Sequence, residues 1–215
     1  MLKRLLLTLP IVLFSLSCSA AEEAAPTFVA GKDYDLISPP IRTSNPDKIT
    51  VTEFFSYGCG HCFNFEPLIQ QWKKGLADDV AFQPSPVAFN PSLEPLSRAY
   101  FTAKALNVLD TMHPAIFQAI HIDRKPIQSQ QALEALFAAN GVSGEDFSKA
   151  YTSFGVGSQV TQANAQSRAA RISGTPEMMV NGKYRVSTRK AGSQAGMLEV
   201  VNFLIEKERA AKAGS

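Results

Sequence analysis

Cys59 and Cys62, with His61 between them, are the residues of this chain best suited to chemistry. Only a thiolate attacks a disulfide, so a redox cysteine needs a lowered pKa. An apolar, β-favouring run from Ile49 to Phe55 and a short turn lead into the pair. The spacing of Phe63, Phe65, Leu68, Ile69 and Trp72 predicts a helix that starts at the cysteines. The unpaired N–H groups and dipole of a helix N-terminus favour negative charge on the first sulfur. His61 can add positive charge or a donor. Cys62 lies about one turn further in, close enough to close a ring with Cys59. Cys59 is therefore expected to be the exposed nucleophile and Cys62 the thiol that resolves a mixed disulfide.

Two plainer uses of a cysteine pair compete with this one. A zinc site needs about four ligands. The third cysteine, Cys18, falls in a segment expected to be removed, and His113 and His121 do not form a second ligand pair. No metal is expected. A permanent structural disulfide across so tight a loop would constrain little of the unfolded chain.

The elements around the pair set its context. The chain has 215 residues, 45% of them hydrophobic, enough for one domain with a core or a domain carrying an insertion. Lys3 and Arg4 precede an apolar run from Leu5 to Leu16, and small residues follow to Ala21. That pattern predicts a cleaved secretory signal peptide over 1–21, its apolar run too short to span a bilayer. Leu16-Ser17-Cys18 loosely resembles a lipidation site, although Ser15 stands where leucine is usual. Removal of 1–21 takes away Lys3 and Arg4, so 21 basic residues become 19 against 19 acidic ones and the net charge goes from +2 to zero. Nothing in that balance calls for nucleic acid as a partner. Only Cys59 and Cys62 then remain, which suits an exported protein that acts on other proteins' disulfides.

A short first strand is expected over Tyr34 to Ser38 and a third over Val80 to Pro84, with Pro84 and Pro86 closing it. Pro67 falls inside the helix after Cys62 and should kink it, and Gly75 marks its end. From Leu93 to Phe154 the periodicity is helical, with breaks expected at Pro114, Pro126, Gly141 and Gly155, and a further helix over Gln159 to Arg171. Met178 to Val180, Asn181-Gly182, then Tyr184 to Val186 spell a hairpin. Gln194 to Lys212 predicts a closing amphipathic helix with Met197, Val201 and Leu204 or Ile205 on one face. A Cys-x-x-Cys that follows a strand and opens a helix marks a thioredoxin-like redox site. The expected class is α/β: a thioredoxin-like fold, a central mixed sheet flanked by helices, with an inserted all-helical subdomain. The expected division is 22–90 for the first part of the domain, 91–157 for the insertion and 158–215 for the second part.

This order of elements resembles the DsbA family of periplasmic thiol:disulfide oxidoreductases. The likeness rests on Glu53-Phe54-Phe55, Cys59-Gly60-His61-Cys62, Phe65-Glu66-Pro67, Gly174-Thr175-Pro176 and Val180-Asn181-Gly182-Lys183-Tyr184. It implies that Pro176 is a cis-proline facing the site, where it and Thr175 would pair with a bound substrate strand. It also implies that Glu53 is a buried acid that relays the proton of Cys62. Two positions depart from the family pattern: Gly60 stands where proline is usual, and Thr175 where valine is common. Both should tune the redox potential.

The resemblance implies a monomeric periplasmic oxidase that needs no cofactor beyond the Cys59–Cys62 disulfide. It would act on reduced exported proteins and be reoxidised by a membrane partner resembling DsbB. Gly60 and Thr175 keep disulfide isomerase or reductase as the alternative, although the bacterial isomerases are dimers and only Glu22 to Asn45 precede the core here. A third possibility is a chaperone without redox turnover, holding unfolded chain through Phe63, Met178 and Met179.

Overall fold

The computed structural model describes residues 27–43 and 45–214, so the expected signal peptide and Cys18 lie outside the described residues. Strands β1 (Asp35–Leu36), β2 (Ile49–Phe55), β3 (Val80–Pro86), β4 (Glu177–Val180) and β5 (Tyr184–Ser187) form one sheet in the order β1-β5-β4-β2-β3. Only β2 and β3 run parallel; the other pairings are antiparallel. The mixed sheet and its flanking helices give the thioredoxin-like α/β architecture that the sequence predicts.

β2 is buried along its whole length, as expected of a central strand without polar alternation. Its alternate side chains serve both faces of the sheet. Ile49 and Val51 join a core made by α1 (Gly60–Lys73) and α8 (Gln194–Ala213), including Phe65, Ile69, Met197, Val201 and Leu204. Phe54 faces the other way, with Val87, Ala170 and Met179.

β3 runs through both of its prolines instead of ending at them. The Ile49 N–H donates to Asp79 O at 2.8 Å and the Val87 N–H to Phe55 O at 2.7 Å. In a parallel ladder every second residue bonds to its neighbour. These two bonds put the odd-numbered residues of β3 on the β2 side, so Pro84 and Pro86 fall on the open edge, where a missing N–H costs nothing.

Between β3 and β4 lie α2 (Glu94–Ala105), α3 (Leu109–His121), α4 (Gln130–Ala139), α5 (Gly144–Tyr151) and α6 (Phe154–Ala169). Side chains of Ser129, Ser143 and Ser153 cap α4, α5 and α6 by accepting N–H bonds from Ala132, Asp146 and Val156. α6 thus begins five residues before the predicted start. Gly155 sits in its first turn, where the N–H has no intrahelical partner to lose. Pro114 lies inside α3 instead of dividing two helices. The helices bury Leu96, Tyr100, Ile116, Phe117, Leu133, Phe137 and Phe147 in one cluster with Phe55, Tyr57 and Cys62. The core of the helical segment is therefore continuous with the floor of the cysteine site.

The β4–β5 turn places Asn181 and Gly182 at φ +51° and +68°, and the Lys183 N–H closes it onto Val180 O at 3.0 Å. A Cβ on Gly182 would stand 1.9 Å from the Ile41 carbonyl oxygen, so this turn needs glycine for space as well as for backbone angle. α8 turns Met197, Val201, Leu204 and Ile205 into the core, as its periodicity predicts.

Candidate active site

β2 delivers the chain to the turn at Ser56–Gly58, and Cys59 becomes the N-cap residue of α1, with φ −96° and ψ 114°. Among the described residues no side chain caps this end. Both cysteines are free thiols; Cys59 is half-buried and Cys62 is 0% exposed.

Their electrostatic surroundings are opposite. The Cys59 thiol titrates at about 5, lowered most by the hydrogen bond from the Cys62 thiol. Burial opposes that shift, while the Thr175 side chain and the backbone N–H groups of Cys62 and His61 add to it. Burial, followed by the hydrogen bond to Cys59, pushes Cys62 far above the ordinary thiol range. At neutral pH Cys59 is therefore a thiolate and Cys62 keeps its proton.

The remaining predicted residues fall at different distances from this pair. Cys59 Sγ lies 3.2 Å from Thr175 O, a bond that only its protonated form donates, and the Thr175–Pro176 peptide is cis. The fold thus brings together sequence positions more than a hundred residues apart. The His61 side chain is exposed and makes no hydrogen bond among the described residues; its backbone N–H serves the sulfur, and its carbonyl accepts Gln194 Nε2 at 2.7 Å. Gly60 is the first residue of α1, and a Cβ there would meet nothing within 4 Å.

Glu53 lies in the middle of β2, 2% exposed, on the face between Val51 and Phe55. Among the described residues its Oε1 has no hydrogen-bond partner. Burial, with the Glu66 charge adding and Lys73 opposing, raises its carboxyl to about 8. It borders a cavity of about 970 Å³ between β3, α1 and α3, lined also by Glu66, Phe82, Tyr100 and His113.

Sequence reasoning set aside both histidines of α3, and the structure puts both against the site. The Tyr57 hydroxyl is 2.7 Å from His113 Nδ1, and His113 Nε2 is 3.1 Å from Glu66 Oε1. Glu66 is a pure acceptor when ionised, which fixes the proton on Nε2 and leaves Nδ1 to accept from Tyr57. Burial, the largest single influence, raises the Glu66 carboxyl, but the His113 bond and charge together with Gln70 and Lys73 outweigh it and hold the group below the usual range. His121 stacks on Phe63 with ring centres 5.0 Å apart, and its Nε2 lies 2.8 Å from Tyr57 O. The available signal was spacing: His113, Phe117 and His121 recur every fourth residue and so share one face of α3.

Met178 and Met179 are buried in β4, at 0% and 1% exposure, and offer no apolar surface to a bound chain. Among the described residues no group of three or more His, Cys, Asp or Glu side chains is placed to hold a metal ion, and no helix is long and apolar enough to cross a membrane.

Residues 69–195 match the family described as DSBA-like thioredoxin domain. The chain is 37% identical over 210 residues to the thiol:disulfide interchange protein DsbA of Pseudomonas aeruginosa, spanning 98% of this chain and 99% of that one. It is 38% identical over 204 residues to the protein of the same name from Bordetella parapertussis, covering 91% of this chain and 97% of that one. Among solved structures, the crystal structure of Pseudomonas aeruginosa DsbA superposes with a TM-score of 0.83 at 37% identity, over 86% of this chain and 97% of that one. The Xylella fastidiosa oxidoreductase DsbA superposes with a TM-score of 0.79 at 30% identity, over 86% and 99%.

Proposed function

The chain belongs to the DSBA-like thioredoxin domain family and is a thiol:disulfide oxidoreductase; from that premise we propose that it is a periplasmic oxidase that passes its Cys59–Cys62 disulfide to reduced exported proteins. A substrate thiolate attacks Cys59 Sγ, the Cys59–Cys62 bond breaks, and Cys62 leaves as a thiolate that takes up a proton. A second substrate thiolate then attacks the substrate sulfur of the mixed disulfide and releases Cys59 as a thiolate. Two electrons pass from the substrate to the enzyme, which ends as one thiolate and one thiol. The electrons move between sulfurs alone, so the redox pair is the only cofactor the reading needs. A membrane disulfide donor resembling DsbB would restore the oxidised form of the monomer.

The observation that carries the proposal is the opposed environment of the two sulfurs. A Cys59 thiol that titrates at about 5 is a good leaving group at neutral pH and stabilises the reduced enzyme, which makes its disulfide a strong oxidant. Cys62, held far above the ordinary range, needs a proton as soon as it leaves. Glu53, raised to about 8 and so protonated at neutral pH, is the proposed source. Thr175 and Pro176 are proposed to pair with the substrate backbone, and Gly60 to tune the potential. The apolar run from Leu5 to Leu16 behind Lys3 and Arg4 supports export.

The test is the equilibrium of Cys59–Cys62 against a graded glutathione buffer on protein lacking residues 1–21, alongside a Cys62→Ser variant mixed with an oxidised substrate. A strongly oxidising potential and a mixed disulfide trapped at Cys59 are expected. A potential as low as a cytosolic reductant's would instead place the protein with reductases or isomerases, the alternative that Gly60 and Thr175 suggest. The Thr175 side chain argues the other way, because it favours the Cys59 thiolate and so the reduced state.

A further inference from the structure

Beside Pro176 lies a groove of about 360 Å³ lined by His61, Thr175, Pro176, Ser187, Arg189 and Gln194, among others. Its walls mix polar and apolar surface, and their charges are unevenly matched. Glu177 is 5% exposed, and its Oε1 is taken by the Gly174 N–H at 3.1 Å and the Ser173 hydroxyl at 3.4 Å. Arg185 pairs with Asp35 at 2.9 Å and lies 3.7 Å from Glu177. Lys190, the next cation along the short helix α7 (Thr188–Ala191), also pairs with Asp35, and its ammonium donates to Gly31 O as well. Arg189 is left over. It is exposed, it lines the groove, and among the described residues it has no carboxylate within ion-pair distance. Gln194 holds the other end by its bond to the His61 carbonyl, so Arg189 and His61 border one depression.

Resting on the oxidoreductase reading, we infer that this groove selects polypeptide segments that carry Asp or Glu beside the reacting cysteine, and that Arg189 is the residue that reads them. A guanidinium with no partner of its own gives up no internal ion pair on binding an acidic side chain, and it repels a basic one. The pair would be solvent-exposed and its strength modest, so the effect belongs to specificity and salt dependence rather than to the chemical step.

The experiment compares three dithiol peptides, identical except for Asp, Asn or Lys next to the first cysteine, as substrates of the oxidised enzyme. The quantity read is the Asp-to-Lys ratio of kcat/KM in the parent divided by that ratio in Arg189→Glu, which cancels the peptides' own thiol reactivity. A quotient of about five or more at low salt, shrinking toward one in 0.5 M NaCl, is expected from four small exposed charge effects, two attractions and two repulsions, added together. Lys149→Glu, an equal change of charge on an exposed site of α5, should give a quotient near one. A quotient of one for Arg189→Glu, or an equal quotient for Lys149→Glu, overturns the inference while leaving the oxidase intact, because the Asn peptide is still oxidised. Failure of the parent to oxidise the Asn peptide overturns this inference together with the reading beneath it.

Discussion

Glu53 stands opposite Pro84 in the register of β2 and β3, so its neighbour across the ladder is a ring that can neither donate a hydrogen bond nor carry charge. Burial, with the Glu66 charge adding and Lys73 opposing, raises the carboxyl's pKa, and the proline across the ladder supplies no donor to offset this. A folded-state value of about 8 against 4.5 unfolded means that the native state holds the proton across that window while the unfolded state has lost it. Stability should therefore fall as pH rises from 4.5 to about 8, by on the order of 1 kcal/mol per pH unit, and level off above. Glu53→Gln abolishes this slope. Urea titrations of the oxidised protein at pH 5 and pH 8 should show the Gln variant gaining on the parent between them.

Cys59 gives the opposite sign. Its folded-state value is depressed to about 5 from an ordinary value of 9, so its contribution to the reduced protein is complete above pH 9 and is lost as pH falls through 5. Alkylation at Cys59 should accelerate with a midpoint near pH 5, while Cys62 stays unmodified in the folded protein at neutral pH. Thr175→Val removes one of the groups that favour the thiolate, and its midpoint should move upward.

His113 joins Tyr57 to Glu66, and so joins the end of β2 to α1 through α3. His113→Ala would leave a buried hydroxyl and a largely buried carboxylate without partners, at a cost of about 1–3 kcal/mol. Because His113, helped by Gln70 and Lys73, holds Glu66 below its usual 4.5 against burial, the penalty should be full above that pH and shrink as pH falls below it. Denaturation at pH 7 and pH 3 measures both halves of that statement.

Gly60→Pro should fold and keep a low Cys59 pKa. The first position of a helix tolerates proline, the preceding Cys59 already has the extended angles proline requires, and nothing lies within 4 Å of the added Cβ. The N–H groups that favour the thiolate come from His61 and Cys62, not from Gly60. Thiolate absorbance against pH, compared with the parent, checks this.

Local signals carried most of what could be read from the sequence. The β2 run, the cysteine spacing and Asn181-Gly182 each contain their own instruction, and each element appears where it was expected. The features missed depend on partners. β3 continues through Pro84 and Pro86 only because it lies at the sheet edge, a fact of topology. The His113 bonds span 47 and 56 residues, and no spacing rule links a histidine on one helix to a tyrosine before another. Ser153 was a capping signal in plain sight, obscured by the glycine two residues on. The cis-proline site came from family likeness, since Gly174-Thr175-Pro176 alone reads equally well as a turn.

The complete burial of Cys62 beside a half-open Cys59 also sets an order of traffic. Molecules outside can touch the couple at one atom only, so two large clients can never be attached at once. The inner sulfur answers to its own chain alone, and a client that lingers can be dismissed from within. Access fixes the sequence of events before any difference in reactivity is felt.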